Sequence, residues 1–276
     1  MESVPNVIND AITAVIKLGY SYLWVDQYCI SQNEGPEMMD VIYRQAEATI
    51  CAVVGENASY GLPGVGSAAR VVQPSVTVKG VQMVSTMFTQ ARIIQESKWS
   101  TRGWIFQEAV LSYRRIMFTA EQAYFECNGM NCYETVKCPL DLLPFPSYDP
   151  PFSRSRKIFT ILDRSTEVDL KGSDICWGLL KLYTKRNLSH DSDSLQAFAG
   201  LTSLLSRYDT PLWFFWGIPL YRKCESRDID FFSGLCWQHV HGYNAPGELT
   251  QSRRREEFPS WSWAGWQGEI KPSYGR

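Results

Sequence analysis

Between residues 5 and 54 the chain passes from a helical hydrophobic period to a short strand-like run, and then does so a second time. No other feature limits the fold as much. Residues 5–18 carry Ile8, Ala11, Ile12, Val15 and Ile16 at helical spacing. Pro5 suits a first turn and Gly19 a stop. Residues 20–25, Y-S-Y-L-W-V, read as a strand with Asp26 at its end. Residues 37–48 read as a second helix, with Met38, Met39, Ile42 and Ala46 inward, and residues 49–54 as a second strand. Helix and strand alternating across short links make parallel strands, so the expected class is α/β.

The later segments extend this pattern. Residues 55–74 are rich in Gly, Pro and Ser. Gly61-Leu-Pro-Gly-Val-Gly66 lacks the Gly-Lys-Ser/Thr ending of a phosphate loop, so it reads as flexible loop. Val76 to Val84 read as a hairpin turning near Lys79-Gly80, residues 99–112 as one helix, and residues 115–118 and 123–127 as two strands. Residues 128–152 hold five of the 14 prolines and mark a boundary loop. The expected division is therefore 1–127, an α/β domain, and 128–276, a mixed extension packed on it. The extension carries helical periods over 174–188 and 192–208, then aromatic segments at 211–221 and 229–240. In P-S-W-S-W-A-G-W, residues 259–266, Trp261 and Trp263 alternate with period two, as on one face of a sealing strand. Arg253-Arg-Arg-Glu-Glu257 reads as a solvated loop.

Composition removes several classes of function. The net charge is −2, so no basic field invites nucleic acid. No run approaches the ~18 apolar residues of a membrane span, and none follows a basic leader in the manner of a signal peptide. Eight scattered cysteines then read as reduced thiols in the cytoplasm. Cys127, Cys132 and Cys138 are too loosely spaced for a zinc site, and His239-x-His241 has no evident carboxylate partner, so no metal is expected.

Three ordered segments resemble the fungal heterokaryon-incompatibility (HET) domain: L-G-Y-S-Y-L-W-V-D-Q-Y-C-I-S-Q at 18–32, M-M-D-V-I-Y-R-Q-A-E-A-T-I-C-A-V at 38–53, and S-K-W-S-T-R-G-W-I-F-Q-E-A-V-L-S-Y-R at 97–114. The resemblance covers roughly residues 5–127. Two later segments, 182–201 and 259–266, look like the region that often follows the domain. The family's usual first strand, S-Y-x-W-G, does not occur upstream, so the resemblance implies an N-terminally incomplete domain.

The resemblance implies a TIR-like or flavodoxin-like parallel sheet flanked by helices. It also implies a role in fungal self/non-self recognition and programmed cell death. Some TIR domains cleave NAD with a Glu in a W-C-x-x-E motif. Trp104-Ile-Phe-Gln-Glu108 keeps the spacing, with Ile105 in place of the Cys. Glu108 is then the candidate catalytic carboxylate, stabilising an oxocarbenium-like transition state, and Asp26 the assisting one. Trp24, Trp104 and Cys29 are the candidate binding residues, and NAD is a possible substrate rather than a cofactor.

Each assignment has a structural counterpart. Glu108, with Trp104, Ile105, Leu111 and Ser112 as helical neighbours, could instead pair with Arg102, Arg114 or Arg115. Asp26 could cap a turn. Trp24 and Trp104 could be core, and Cys29 a small buried residue far in sequence from any histidine. The alternatives to an enzyme are an oligomerising death-effector module, acting through a second copy or a death-pathway partner, or an inactive remnant.

Overall fold

The computed structural model describes residues 4–30, 38–85, 90–127, 130–135, 172–207, 211–222, 229–240, 243–244, 248–249 and 252–273. In chain order the helices that matter are α1 (Asn6–Lys17), α2 (Asp26–Cys29), α3 (Met39–Gln45), α4 (Gln90–Glu96), α5 (Lys98–Thr101), α6 (Gly103–Leu111), α7 (Gly172–Thr184) and α8 (Ala199–Ser206). The chain divides into two compact units. The first is Met1–Glu34, Ala46–Ser100 and Ser112–Ile158; the second is Gly35–Gln45, Thr101–Leu111 and Phe159–Arg276.

The first unit is built on a sheet of β1 (Thr49–Ala52), β4 (Arg114–Phe118), β5 (Ala123–Cys127) and β6 (Asn131–Tyr133), in the order β1-β4-β5-β6. β1 and β4 run parallel, while β4–β5 and β5–β6 are antiparallel. The α/β class is thus the expected one, carried by a mixed sheet with one parallel pair. α1 lays Ala11 against Leu62 and Phe118, with Val7, Leu23, Ile50, Ala52, Val65, Ile116 and Ala123 packed around them. The helix ends as its sequence requires. Gly19 takes φ 82, its N–H reaches the Ile16 carbonyl, and the Tyr20 N–H reaches Val15.

Residues 20–25 do not form the expected strand. β1 is an edge strand among the described residues, and residues 20–25 do not pair with it. Tyr22 is 93% exposed; Leu23 packs into the core. Strand propensity mostly reports packing against partner strands, and it lapses where none is taken up.

The glycine-rich loop is also not free. Asp10, buried on α1, accepts the Leu62 N–H at 2.7 Å. A side chain at Gly61 or Gly66 would collide with that carboxylate. The glycines let the backbone close around an acid group, and Leu62 is fully buried there. Beyond the loop, β2 (Ser75–Val78) and β3 (Val81–Val84) form the expected hairpin, with Lys79 and Gly80 both at positive φ in its turn.

The second unit is centred on an aromatic cluster. Tyr183 of α7 meets Phe106 of α6, Phe198 and Trp263 at ring distances of 6.0, 5.0 and 5.8 Å. Leu179, Leu180, Leu201 and Leu205 are fully buried in the same unit. Gln107, buried on α6, accepts the Gly200 N–H at 3.1 Å and so fixes the start of α8. Met39 and Tyr43 of α3 are buried as a helical face, while Met38 is exposed rather than inward.

Residues 99–112 form two helices rather than one. Between them Arg102 bridges to Asn187, the Asn187 N–H reaches the Thr101 carbonyl, and the Gly103 N–H reaches the Asn187 carbonyl. These bonds take the backbone groups that a continuous helix would use. Residues 192–208 open as two 3-10 turns, Asp191–Ser194 and Gln196–Phe198, before α8 begins.

Trp261 and Trp263 do not share a face. Trp263 is fully buried and Trp261 is 39% exposed, because Trp263–Gly265 is a 3-10 turn capped by the Ser262 hydroxyl. That hydroxyl also donates to the Trp216 carbonyl, and the Trp263 indole donates to the Gly217 carbonyl at 2.7 Å. The segment thereby grips the turn between β7 (Trp213–Phe215) and β8 (Ile218–Arg222), where Trp216 sits at φ 51. Such a backbone persists only where its surroundings over-determine it.

Candidate functional site

The five residues singled out by the sequence fall in different units: Trp24, Asp26 and Cys29 in the first, Trp104 and Glu108 in the second. Asp26 is exposed at the first position of α2, and its carboxylate accepts the Gln27 N–H at 2.7 Å. Cys29 is exposed, and its sulfur accepts the Val25 N–H at 3.4 Å. Trp24 is half-buried. These contacts organise a short turn and leave the Asp26 side chain open to solvent.

On α6 the surroundings are more constrained. Trp104 is half-buried, and its indole N–H donates to Asp193 at 2.9 Å. Glu108, one helical turn further, is also half-buried, between fully buried Gln107 and Ala109. Glu108 and Trp104 are thus i, i+4 neighbours on α6, both half-buried, with the Trp104 indole edge fixed by Asp193.

Sequence reasoning missed what holds this part of the unit. In the Arg253–Glu257 run Arg253, Glu256 and Glu257 are exposed as expected, but Arg254 is half-buried and Arg255 buried. Arg255 is 3% exposed, and its guanidinium donates to Ser194 and to the carbonyls of Ala264 and Trp266. Arg254 donates to the carbonyls of Arg255, Phe258 and Gly265. Arg253 forks onto Asp191 with two bonds of 2.7 Å. Arg186 lies 4.7 Å from the centre of the Phe106 ring; burial lowers its pKa to about 10, so it remains a cation at neutral pH. The one available signal was the S-H-D-S-D-S run at 189–194, which supplies both Asp191 and Asp193.

The bonds from Arg253 hold the Asp191 carboxyl below its ordinary range, and the charges of Arg253 and Arg255 act the same way. A carboxyl lowered on folding adds stability in full above its unfolded pKa of about 3.9. It loses that stability as pH falls through its lower folded value. Acid titration of the folded chain should therefore show a loss below about pH 4 that Asp191→Asn removes. Circular dichroism against pH checks this, and unchanged acid sensitivity in the variant would refute it.

Among the described residues, no three His, Cys, Asp or Glu side chains gather as a metal site, and no helix is long and apolar enough to cross a membrane. Cys127 and Cys132 lie on β5 and β6; Cys138 and His241 fall outside the described residues. His239 sits between the rings of Trp237 and Trp266, at 5.4 and 5.6 Å.

The first unit is a mixed α/β unit with one parallel strand pair. Residues 1–108 match the family model of the heterokaryon incompatibility protein (HET). The match supports a part in heterokaryon incompatibility. No curated protein and no solved structure matches the chain.

Proposed function

We propose that this HET-domain protein acts in fungal self/non-self recognition leading to programmed cell death, by hydrolysing NAD at the nicotinamide–ribose bond. The observation that carries the proposal is the placement of Glu108 on α6, half-buried and one turn beyond a Trp104 whose indole is anchored to Asp193. A half-buried carboxylate one helical turn from an anchored aromatic ring suits a planar ring that carries positive charge in the substrate. In the reaction the glycosidic C–N bond breaks and its electron pair leaves with nicotinamide. Glu108 stabilises the positive charge that develops on the ribose, and water supplies the new C–O bond and releases a proton. NAD is the substrate, and no further cofactor enters. The proposal rests on Glu108 and Trp104; Asp26, Trp24 and Cys29 are assigned no step.

At about 4 Å in a partly wet site, one carboxylate offers about 4 kcal/mol to a developing cation. That corresponds to roughly a thousandfold in rate. Purified full chain should consume NAD, and Glu108→Gln, with an unchanged circular dichroism spectrum, should lower the rate about a thousandfold. No NAD loss with either folded protein would overturn the proposal and favour a non-enzymatic effector module.

A further inference from the structure

Arg253 is exposed at the surface of the second unit, yet all three nitrogens of its guanidinium are bonded within that unit. The two terminal nitrogens fork onto the Asp191 carboxylate, each at 2.7 Å. The Nε donates to the Gln267 side-chain carbonyl at 3.0 Å. Gln267 stands opposite Arg253 in a short antiparallel ladder of Arg253–Arg254 against Trp266–Gln267. One surface arginine thus reaches inward by two separate arms.

Both arms end on α6. On the first, Asp191 opens the 3-10 turn Asp191–Ser194. The far end of that turn is held at Ser194, whose carbonyl accepts the Tyr183 hydroxyl at 2.8 Å and whose hydroxyl accepts from Arg255 at 3.2 Å. With both ends held, Asp193 between them accepts the Trp104 indole N–H at 2.9 Å. On the second arm the Gln267 amide donates to the Asn187 side-chain carbonyl at 3.0 Å. The Asn187 backbone closes the break ahead of α6, donating to the Thr101 carbonyl and accepting the Gly103 N–H, both at 2.7 Å. Trp104 follows Gly103 directly. The backbone before Trp104 and the indole of Trp104 are therefore fixed by different chains of bonds, and each chain starts at Arg253.

We propose that Arg253 is a positioning residue for Trp104: it sets where the indole points, through Asp191 and Asp193 on one side and Gln267 and Asn187 on the other. The residue type fits the task. A planar guanidinium presents two parallel N–H groups to a carboxylate and a third to another acceptor, whereas a lysine ammonium carries the charge without the fork. A slight misplacement of a group beside a reacting bond, caused from far away, costs up to about a hundredfold in rate. The consequence for NAD rests on the hydrolysis proposed for Glu108 and Trp104; the relay from Arg253 to the indole does not.

Nuclear magnetic resonance of the indole N–H groups in the full chain, labelled on tryptophan nitrogen, tests it. The Trp104 signal is assigned by its absence from Trp104→Phe, and Asp193→Ala marks the position of a released indole. Because Arg253 is exposed, Arg253→Gln leaves the fold intact, which circular dichroism verifies. It should move the Trp104 signal towards the released position, and Arg253→Lys should move it less. Asp191→Asn removes the same fork from its other side and should move the signal in the same direction. In an NAD assay Arg253→Gln should lower kcat roughly tenfold to a hundredfold with KM little changed, since geometry rather than binding is lost. A Trp104 signal that stays in place in Arg253→Gln overturns the proposal whatever the activity. A moved signal with kcat unchanged, in a chain that consumes NAD, overturns its part in the reaction. A moved signal in a chain that consumes no NAD upholds the relay and overturns the hydrolysis.

Discussion

Arg115→Met alone should destabilise the first unit by about 3–5 kcal/mol, whereas Arg115→Met combined with Glu126→Leu should recover most of that loss. Arg115 on β4 and Glu126 on β5 are register partners, 1 and 0% exposed, and their side chains meet at 3.1 Å. The other carboxylate oxygen accepts the Tyr124 hydroxyl at 2.9 Å, and Arg115 also donates to the Ser112 carbonyl. Removing the guanidinium leaves a fully buried carboxylate without this counter-charge. Removing both partners substitutes apolar packing for two desolvated ions, which is often neutral. Burial and the Glu126 charge push the Tyr124 hydroxyl above its ordinary range, so it remains a donor and cannot become a competing anion. Urea titration, with hydrogen exchange at the β4 and β5 amides to report the first unit, measures the effect. A single variant costing less than about 1 kcal/mol would show that the pair is not what organises this sheet.

This pair also marks how far the sequence could be read. The strand positions of Arg115 and Glu126 were legible, because β-branched and aromatic residues flank them. The pairing was not, since register arises from the three-dimensional arrangement of β4 and β5. The same limit applies to Asp10. Its helix follows from hydrophobic spacing, but that Gly61 and Gly66 close over its carboxylate depends on a contact some 50 residues away in sequence. Residues 20–25 were misleading for the opposite reason: their local preference is strong, and among the described residues no partner strand takes it up. Arg254 and Arg255 misled because charge runs are usually solvated, whereas these two guanidiniums satisfy carbonyls of the Phe258–Trp266 segment. Of the candidate site, the helix carrying Trp104 and Glu108 was legible from the W-I-F-Q-E spacing. Its anchor, Asp193, was not, because 89 residues separate donor and acceptor.

The two tryptophans of P-S-W-S-W-A-G-W should differ sharply, although sequence spacing makes them look equivalent. Trp263→Ala should cost the second unit about 3–5 kcal/mol. The Trp263 ring is fully buried, packs edge-on against Tyr183 and Phe198, and donates its indole N–H to Gly217. Its loss opens a cavity in the aromatic cluster and leaves the Gly217 carbonyl unpaired. It also frees the turn that holds Trp216 at φ 51. Trp263→Phe refills most of the volume without the indole N–H, so it should cost about 1–3 kcal/mol, chiefly the unmet buried carbonyl. Trp261→Ala should cost about 1 kcal/mol, because that ring is 39% exposed and stacks on Phe215 at 5.9 Å. Hydrogen exchange at the α7 and α8 amides, with urea midpoints for all three variants, separates these values. Equal losses at Trp261 and Trp263 would mean that the segment acts as a uniform apolar strap. The expected inequality would mean that one indole, through one ring cluster and one hydrogen bond, determines whether the β7–β8 turn stays closed.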